Sequence, residues 1–132
     1  MRLLDTNVGI QLWQRKNLTV RRQFAQYSPA DIALCSVVKA ELLFGALRSE
    51  QKDNNLQLLN KLFAPLASFD FDDKAAEHYA QIRADLTVQG NLIGANDLMI
   101  AAIARANNLT LITHNTSAFS RVQGLGLEDW EI

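Results

Sequence analysis

Three acidic residues, distant from one another in the sequence, are the side chains with the clearest chemical potential. Asp5 directly follows the apolar pair Leu3 and Leu4, and Glu41 and Asp97 lie in later apolar segments. Burying a carboxylate is costly unless something compensates it, and clustered like charges raise one another's pKa unless a cation lies among them. Carboxylate oxygens suit Mg²⁺ or Mn²⁺. These acids therefore indicate metal-assisted hydrolysis of a phosphodiester, which needs no serine, lysine or histidine nucleophile.

Each acid also has a purely structural interpretation. Asp5 could simply cap the first helix, and Asp97 could be an ordinary acid in the first turn of a later one, since a carboxylate near a helix N-terminus gains roughly 0.3 to 1 kcal/mol from the helix dipole. Glu41 is harder to explain in this way. A capping box that starts at Ser36 needs its glutamate at position 39, which is Lys39, and the helical neighbours of Glu41 are mostly apolar.

Short apolar runs that alternate with helical patterns predict the elements that carry these acids. Strands are predicted at 2–5, 32–35, in "LASFDF" and at 109–113. Helices are predicted from a cap at Thr6 or Asn7 to about Trp13, near 19–27, from a cap at Ser36, and through Leu56, Leu59, Leu62 and Phe63 to Pro65. Two more follow, one from Asp72 or Asp73 to Gly90 and one in "NDLMIAAIARANN", before the terminal segment "LEDWEI". This order predicts a doubly wound α/β domain with a mostly parallel sheet.

The carboxyl ends of the predicted strands bring the acids together. Ligands of parallel α/β sheets bind beyond those ends, where Asp5 and Ser36 end the first two strands and Glu41 follows about one helical turn later. A crossover helix runs antiparallel to the next strand, so the helix with Asp97 in its first turn begins at the same edge. We expect the three carboxylates to share this edge and to surround a single divalent ion. Nearby polar groups should orient the carboxylates and waters: Thr6, Asn7, Ser36, Asn96, Thr113 and Asn115.

Length and composition restrict the class of protein that this sequence can form. With 132 residues, 48% of them hydrophobic and 20% charged, the chain is expected to be one ordered domain. No apolar run approaches the roughly 20 residues of a membrane span, and the N-terminus lacks a signal-peptide pattern, so a cytoplasmic protein is expected. The single cysteine, Cys35, is expected to be a buried core residue. A net charge of −1 argues against nucleic-acid binding by bulk electrostatics alone.

Four segments, taken in order, resemble the PIN-domain ribonucleases of the VapC toxin type. They are "LLDTN", "SVVKAELLFGA", "GNLIGANDLMIAAIA" and "LTLITHN" followed by "FSRVQGL". The resemblance covers nearly the whole chain at typical spacing. It implies a single PIN domain over 1–132, with a mostly parallel four- or five-stranded sheet flanked by helices.

The resemblance also implies a site, an activity and partners. Asp5, Glu41 and Asp97 fall on the family's metal-binding acids, and Thr6 falls on its supporting hydroxyl. The implied activity is that of an endoribonuclease dependent on Mg²⁺ or Mn²⁺. The implied partners are a second copy of the chain, in a homodimer, and a VapB antitoxin that inhibits the enzyme and whose own dimeric part binds operator DNA. The leucine-rich segment 42–66 has more apolar residues than one core face needs, so part of it is expected to form the dimer or antitoxin groove.

This chain departs from the family pattern near the last core strand. Many members carry a further Asp or Glu there, whereas this chain offers His114, Asn115, Ser117 and Ala118, so the number of metal ions stays open. The segments around Asp97 and His114 look most like members that cut initiator tRNA in its anticodon region. Basic residues that could steer RNA are Arg15, Lys16, Arg21, Arg22, Arg48 and Arg121.

Three other functions remain open from the sequence. The first is a catalytically inactive PIN-like module that binds RNA or protein. The second is an aspartyl phosphotransferase or haloacid-dehalogenase-like hydrolase with Asp5 as nucleophile, although such enzymes need a second Asp where this chain has Asn7. The third is metal-independent RNA cleavage through His114, which would leave cyclic phosphate ends.

Overall fold

A five-stranded sheet in which every strand runs parallel to its neighbours forms the centre of the protein. The computed structural model describes residues 1–132, and the strand order is β3-β2-β1-β4-β5. The strands are β1 (Arg2–Leu4), β2 (Ile32–Cys35), β3 (Ala67–Phe69), β4 (Thr110–Ile112) and β5 (Leu127–Glu128). The predicted α/β class is confirmed, and the terminal segment contributes the fifth strand.

Seven α-helices and a short 3₁₀ helix connect and flank the strands. Helix α5 packs along α6, whereas α1 packs against α3 and α3 packs against α4. The α-helices are α1 (Thr6–Gln14), α2 (Leu18–Ala25), α3 (Ser36–Leu47), α4 (Lys52–Phe63), α5 (Asp73–Gln89), α6 (Ala95–Ala106) and α7 (Thr116–Phe119), and the 3₁₀ helix is Pro29–Asp31.

The hydrophobic core lies on both faces of the central strands. Every residue of β2 is buried, as are Leu3 and Leu4 of β1, because a parallel sheet is covered by helices on both sides. Helix α6 is buried around most of its circumference, with Ile100 and Ile103 fully inside. Cys35 is a free, buried thiol, as the sequence predicted. A helix held this firmly fixes the position of whatever lies in its first turn.

Helix caps agree with the sequence at α5. Asp72 is the N-cap, and its side chain accepts a hydrogen bond from the Ala75 N–H at 2.9 Å. Gly90 ends the helix with a φ of 71°, the left-handed conformation that glycine adopts without a steric cost. Pro65 follows the end of α4, as predicted.

Of the capping residues considered for α1, the structure selects Asp5, and the predicted cap of α3 was wrong. Asp5, not Thr6 or Asn7, is the N-cap of α1, because a hydrogen bond from its N–H to the Ile112 carbonyl at 3.0 Å holds it in extended conformation beside β4. Ser36 is the first residue of α3 rather than its cap, and Cys35 takes the cap position without a side-chain hydrogen bond. Strand pairing, which local sequence does not reveal, decides both positions.

None of the helices combines the length and the apolar character needed to cross a lipid bilayer.

Candidate active site

Asp5 lies at the carboxyl end of the central strand with its carboxylate turned into the protein. The residue is only 5% exposed. Its Oδ1 accepts a hydrogen bond from the Thr6 backbone N–H at 2.8 Å, and its Oδ2 accepts one from the Thr113 hydroxyl at 2.8 Å. Both oxygens are therefore oriented, and each keeps further capacity to accept a donor or to bind a cation.

Thr113 holds this carboxylate through a short chain of hydrogen bonds. The residue is fully buried just after β4, and its backbone N–H donates to the Glu128 carbonyl of β5 at 2.9 Å. Its Oγ1 accepts a hydrogen bond from the Asn115 N–H at 3.0 Å. A hydroxyl has a single proton, so the Thr113 proton points at Asp5. The strands β4 and β5 thus set the direction of the Asp5 side chain.

Asp97 lies in the first turn of α6, at the same edge of the sheet. Burial raises the pKa of its carboxyl, and the negative charges of Asp5 and Glu41 raise it further. Burial also raises the pKa of Asp5, although the hydrogen bonds from Thr113 and Thr6 lower it in part. Asp97 therefore lies near enough to residues 5 and 41 for their negative charges to act on it.

The spacing of the three carboxylates is wider than the sequence led us to expect. One group of three potential metal ligands has all of its ligand atoms within 4.8 Å of one another. It consists of His114, Asp129 and Glu131. The oxygens of Asp5, Glu41 and Asp97 are not all this close. Mg²⁺ is commonly held by one or two carboxylates, with waters and substrate phosphate oxygens completing its shell, so direct ligation by all three acids is not required.

The donor set at this edge fits a hard divalent cation. Asp5 and Asp97 are partly desolvated and have raised pKa values, and Glu41 lies nearby. Together they concentrate negative charge, which is unfavourable without a cation. The Thr6 hydroxyl oxygen is buried beside Asp5 and has no hydrogen-bond partner. Oxygen groups of this kind match Mg²⁺ or Mn²⁺ rather than a metal that prefers thiolate.

A cleft of about 430 Å³ opens beside Glu41. Glu41 is partly exposed on α3, and the predicted orienting residues Ser36 and Asn96 line the same cleft. Its other walls are mainly apolar and include Phe44 and Met99. The cleft thus gives solvent, and any substrate, a route to the acidic edge.

A second cavity, of about 460 Å³, is lined by the remaining predicted amides, Asn7 and Asn115. Lys16, His114 and Glu131 line it too. Asn7 follows the supporting Thr6, and the Asn115 N–H reaches Thr113, so this cavity lies next to the Asp5 carboxylate. The predicted polar residues therefore line two different cavities, Ser36 and Asn96 in one and Asn7 and Asn115 in the other.

The predicted RNA-steering residues are all exposed but do not form one patch. Arg15 and Lys16 line a cavity with Trp13 at the end of α1, and Lys16 also reaches the cavity beside Asn7. Arg121 lies in a small pocket between α5 and α6 that contains none of the three acids. The rest, Arg21 and Arg22 on α2 and Arg48 after α3, line none of these cavities.

Two acids at this edge were missed by the sequence reasoning. Asp129 and Glu131 follow β5, and the His114 Nδ1 lies 3.0 Å from Asp129 Oδ2 and 3.8 Å from Glu131 Oε2. Local sequence offered no alternation signal for this pair, because Trp130 and Glu131 lie in a turn after β5 in which the Glu131 N–H donates to Asp129 Oδ1.

Comparison with known proteins identifies the family. The family model described as PIN domain matches residues 2–125. The chain is 37% identical to "Ribonuclease VapC2" of Haemophilus influenzae over 97% of its own length and 96% of the relative's. The chain is a PIN domain of the VapC ribonuclease type. A second relative, "tRNA(fMet)-specific endonuclease VapC" of Shigella flexneri, is 38% identical to this PIN domain over the same shares of the two chains.

Solved structures of VapC-type PIN domains share this fold. A chain in the crystal structure of VapBC2 from Rickettsia felis, bound to a DNA fragment from their promoter, superposes with a TM-score of 0.91 and is 33% identical, covering 98% of each chain. A chain in DNA-bound VapBC from Salmonella typhimurium gives the same TM-score and identity, covering 98% of this PIN domain and 99% of that chain. The family predicted from four sequence segments is thereby confirmed.

Proposed function

We propose that residues 1–132 act as a single-domain, metal-dependent endoribonuclease that hydrolyses RNA phosphodiester bonds in the cytoplasm. The observation that carries the proposal is the Asp5 carboxylate, buried between Thr6 and Thr113 and electrostatically coupled to Asp97. The names of the relatives support ribonuclease activity.

Each acid takes a role that follows from its position. Asp5, with both oxygens already oriented, and Asp97, in the first turn of a rigid helix, would hold the ion. Glu41 faces the open cleft and completes the acidic edge on the side from which RNA enters. The hydrogen bonds from Thr113 and the Thr6 N–H favour the charged form of Asp5 against the effect of burial, and they orient its carboxylate.

Mg²⁺ or Mn²⁺ is the proposed ion. When bound, it supplies the Lewis acidity that lowers the pKa of a water and stabilises charge on a scissile phosphate. The remaining polar groups, Asn7, Ser36, Asn96 and Asn115, line the two flanking cavities and would position water and RNA. Of the basic residues, Lys16 lines the cavity beside Asn7 and Asn115, and Arg15 shares a neighbouring cavity with Lys16. The exposed residues Arg21, Arg22 and Arg121 would contact RNA outside these two cavities.

The proposed substrate is a transfer RNA, with the initiator tRNA anticodon region as the specific target. Two relatives, from Shigella flexneri and Salmonella typhimurium, are named tRNA(fMet)-specific endonucleases and are 38% and 34% identical to this chain. Both alignments span 97% of the chain, so they include the acids and both cavities.

The proposed partners are a VapB-type antitoxin and a second copy of the chain. Structures of related proteins are described as VapBC complexes, two of them bound to DNA, so we propose that the antitoxin also carries this protein to operator DNA. Exposed apolar side chains on α3 and α4, Phe44, Leu47 and Leu58, offer a contact surface inside the predicted segment 42–66.

Cleavage of defined RNAs tests the proposal. Initiator tRNA and elongator methionine tRNA would be incubated with the purified chain in Mg²⁺, in Mn²⁺ and in chelator, followed by mapping of the cut and analysis of the new ends. We expect cleavage of initiator tRNA with 5′-phosphate ends, abolished by chelator. Asp5→Asn and Asp97→Asn should each lower the rate by about 100-fold or more, because each removes charge from the ion site.

Asp53→Asn is the matched control, since Asp53 is an exposed acid on α4 away from both cavities. Equal cleavage by all variants would contradict the assignment of the acids. Absence of cleavage of every RNA, with RNA or protein binding retained, would instead favour the inactive PIN-like binding module. Cyclic phosphate ends formed in chelator would favour the metal-independent route through His114.

A further inference from the structure

A histidine and two carboxylates form a second cluster at the carboxyl edge, on the β4 and β5 side. His114 follows β4, and Asp129 and Glu131 follow β5. The ligand atoms of these three side chains all lie within 4.8 Å of one another. The carboxylates are largely buried, with side chains 12% and 18% exposed, whereas the His114 side chain is 61% exposed. The cluster is therefore built into the protein and open to solvent on one side.

In both Asp129 and Glu131, one carboxylate oxygen accepts hydrogen bonds from neighbouring residues and the other faces His114. Asp129 Oδ1 accepts a hydrogen bond from the Glu131 N–H at 2.9 Å, while its Oδ2 faces His114 Nδ1. Glu131 Oε1 lies 3.2 Å from the Gln11 amide nitrogen and 3.4 Å from the Asn17 amide nitrogen, while its Oε2 faces the same imidazole. Carboxylates that ligate metals are commonly oriented by such donors.

The spacing of the facing atoms matches that of ligands around one ion. With metal–ligand bonds of about 2.1 Å, ligands at a right angle lie about 3.0 Å apart and opposed ligands about 4.2 Å apart. The Nδ1 of His114 lies 3.0 Å and 3.8 Å from the two facing oxygens, within that range. Two carboxylate oxygens and one imidazole nitrogen are a donor set that divalent transition ions take.

A buried amide oxygen supplies independent support. The Oε1 atom of Gln11 is inaccessible to solvent and has no hydrogen-bond donor, which is unusual for a buried polar atom. It belongs to the amide group whose nitrogen contacts Glu131, so it lies next to the cluster. A buried oxygen beside Glu131 that has no donor is free to accept a hydrogen bond from a water or to face a cation.

We propose that His114, Asp129 and Glu131 form a second metal site, separate from the acids at residues 5, 41 and 97, that binds a divalent transition ion. One imidazole and two carboxylates favour Zn²⁺ over Mn²⁺, and both over Mg²⁺, because imidazole is a poor ligand for Mg²⁺. The bound ion joins the chain after β5 to the loop after β4. Through Gln11 and Asn17 it also fixes the end of α1 and the start of α2. The proposal does not depend on the proposed ribonuclease activity.

Calorimetric titration of Zn²⁺ into the full-length chain tests this site. The titration uses Asp5→Asn/Asp97→Asn protein, in which the first acidic group is disabled, and circular dichroism checks its fold. We expect one Zn²⁺ per chain, weaker binding of Mn²⁺, no measurable binding of Mg²⁺, and a higher thermal unfolding temperature when Zn²⁺ is present. Adding His114→Ala or Asp129→Asn to this protein should weaken Zn²⁺ binding by at least about tenfold.

His78→Ala, added to the same double variant, is the matched control because His78 is the other histidine of the chain and lies on α5, where it contacts Arg105. It should leave Zn²⁺ binding unchanged. Failure of the Asp5→Asn/Asp97→Asn protein to bind Zn²⁺ would overturn the proposal. So would equal Zn²⁺ affinity with and without His114→Ala and Asp129→Asn in folded protein, or loss of affinity in the His78→Ala control as large as in His114→Ala.

Discussion

At the scale of single residues, the orientation of the Asp5 carboxylate depends on a neighbour that is not itself acidic. The buried Thr113 hydroxyl accepts one hydrogen bond from the Asn115 N–H and donates its proton to Asp5. Removing this hydroxyl leaves one oxygen of a buried carboxylate without its donor, so the carboxylate is both less stable as an anion and freer to turn.

Thr113→Val should therefore lower the rate of RNA cleavage by about 10- to 100-fold, the usual effect of losing a group that orients a metal ligand. Thr113→Ser retains the hydroxyl and should keep most of the activity. Initial rates with a fixed RNA in saturating Mn²⁺ would measure the difference. Similar losses in both variants would mean that the methyl group of Thr113, not its hydroxyl, is what matters.

The charge on Asp97 is expected to cost stability. Because burial and the charges of Asp5 and Glu41 raise its pKa, the folded protein binds more protons than the unfolded chain at pH values between the ordinary and the raised pKa. Protonation of Asp97 therefore stabilises the folded protein. This stabilisation is fully present below the ordinary aspartate pKa of about 4, and it is lost as the pH rises through the raised pKa of Asp97 in the folded protein.

In chelator at pH 7, Asp97→Asn should accordingly raise the thermal unfolding temperature by roughly a few degrees, whereas in Mg²⁺ or Mn²⁺ the same variant should lower the rate of RNA cleavage by about 100-fold or more. The gain should shrink as the pH is lowered toward 4. Calorimetric scans of wild type and variant at several pH values would measure it. A variant that is less stable than wild type at pH 7 would contradict the repulsion inferred among the three acids.

Residue types and spacing identified the acids at positions 5, 41 and 97, but they did not give the distances between the carboxylate oxygens. Residues 5, 41 and 97 could be assigned to one edge because the direction of parallel strands fixes which ends meet. The separation of their oxygens depends on side-chain rotamers and on contacts such as that with Thr113, which no sequence pattern encodes. Asp129 and Glu131 were missed because β5 has only two residues, too few for an alternating pattern.

At the scale of elements, long helices were predicted well and helix starts less well. The apolar circumference of α6 indicated a buried helix, and Asp72 and Gly90 marked the ends of α5. The start of α1 offered three good capping residues in succession, Asp5, Thr6 and Asn7, and pairing of β1 with β4 selected the first. Tertiary contacts of this kind lie beyond local propensity.

The contact between α1 and α3 positions Glu41 and is tight at one point. A Cβ atom built on Gly9 would lie 3.1 Å from Leu42 Cδ1, whereas one built on Gly45 would meet nothing closer than 3.9 Å. Gly9→Val should therefore destabilise the protein by about 1 to 3 kcal/mol through overpacking, in addition to any helix-propensity effect shared with Gly45→Val.

Urea unfolding of Gly9→Val and Gly45→Val separates overpacking from helix propensity. Both variants place valine inside a helix, so the difference between their free energies of unfolding measures the overpacking at Gly9. Combining Gly9→Val with Leu42→Ala should show a favourable interaction energy, since the smaller side chain removes the clash. Equal destabilisation by Gly9→Val and Gly45→Val would show that the α1 and α3 contact tolerates the added volume.

At the scale of the whole molecule, exposed apolar groups occur next to the acidic edge. Phe44 and Leu47 on α3 are 60% and 53% exposed, and Leu58 on α4 is 41% exposed. Phe44 also lines the cleft that contains Glu41. An antitoxin segment seated on this surface would lie close enough to block the cleft, so binding and inhibition would share one set of contacts.

Phe44→Asp should consequently leave the protein folded and weaken its complex with the cognate antitoxin by at least about 30-fold, a loss typical of a central aromatic contact. Val88→Asp is the control, because Val88 is 89% exposed on α5, away from the cleft. Calorimetric titration with the antitoxin measures affinity, and sedimentation of each variant alone reports self-association. If Phe44→Asp leaves antitoxin affinity intact but converts a dimer into a monomer, this surface is the homodimer contact, and the antitoxin must reach the acids by another route, such as the cavity beside Asn7 and Asn115.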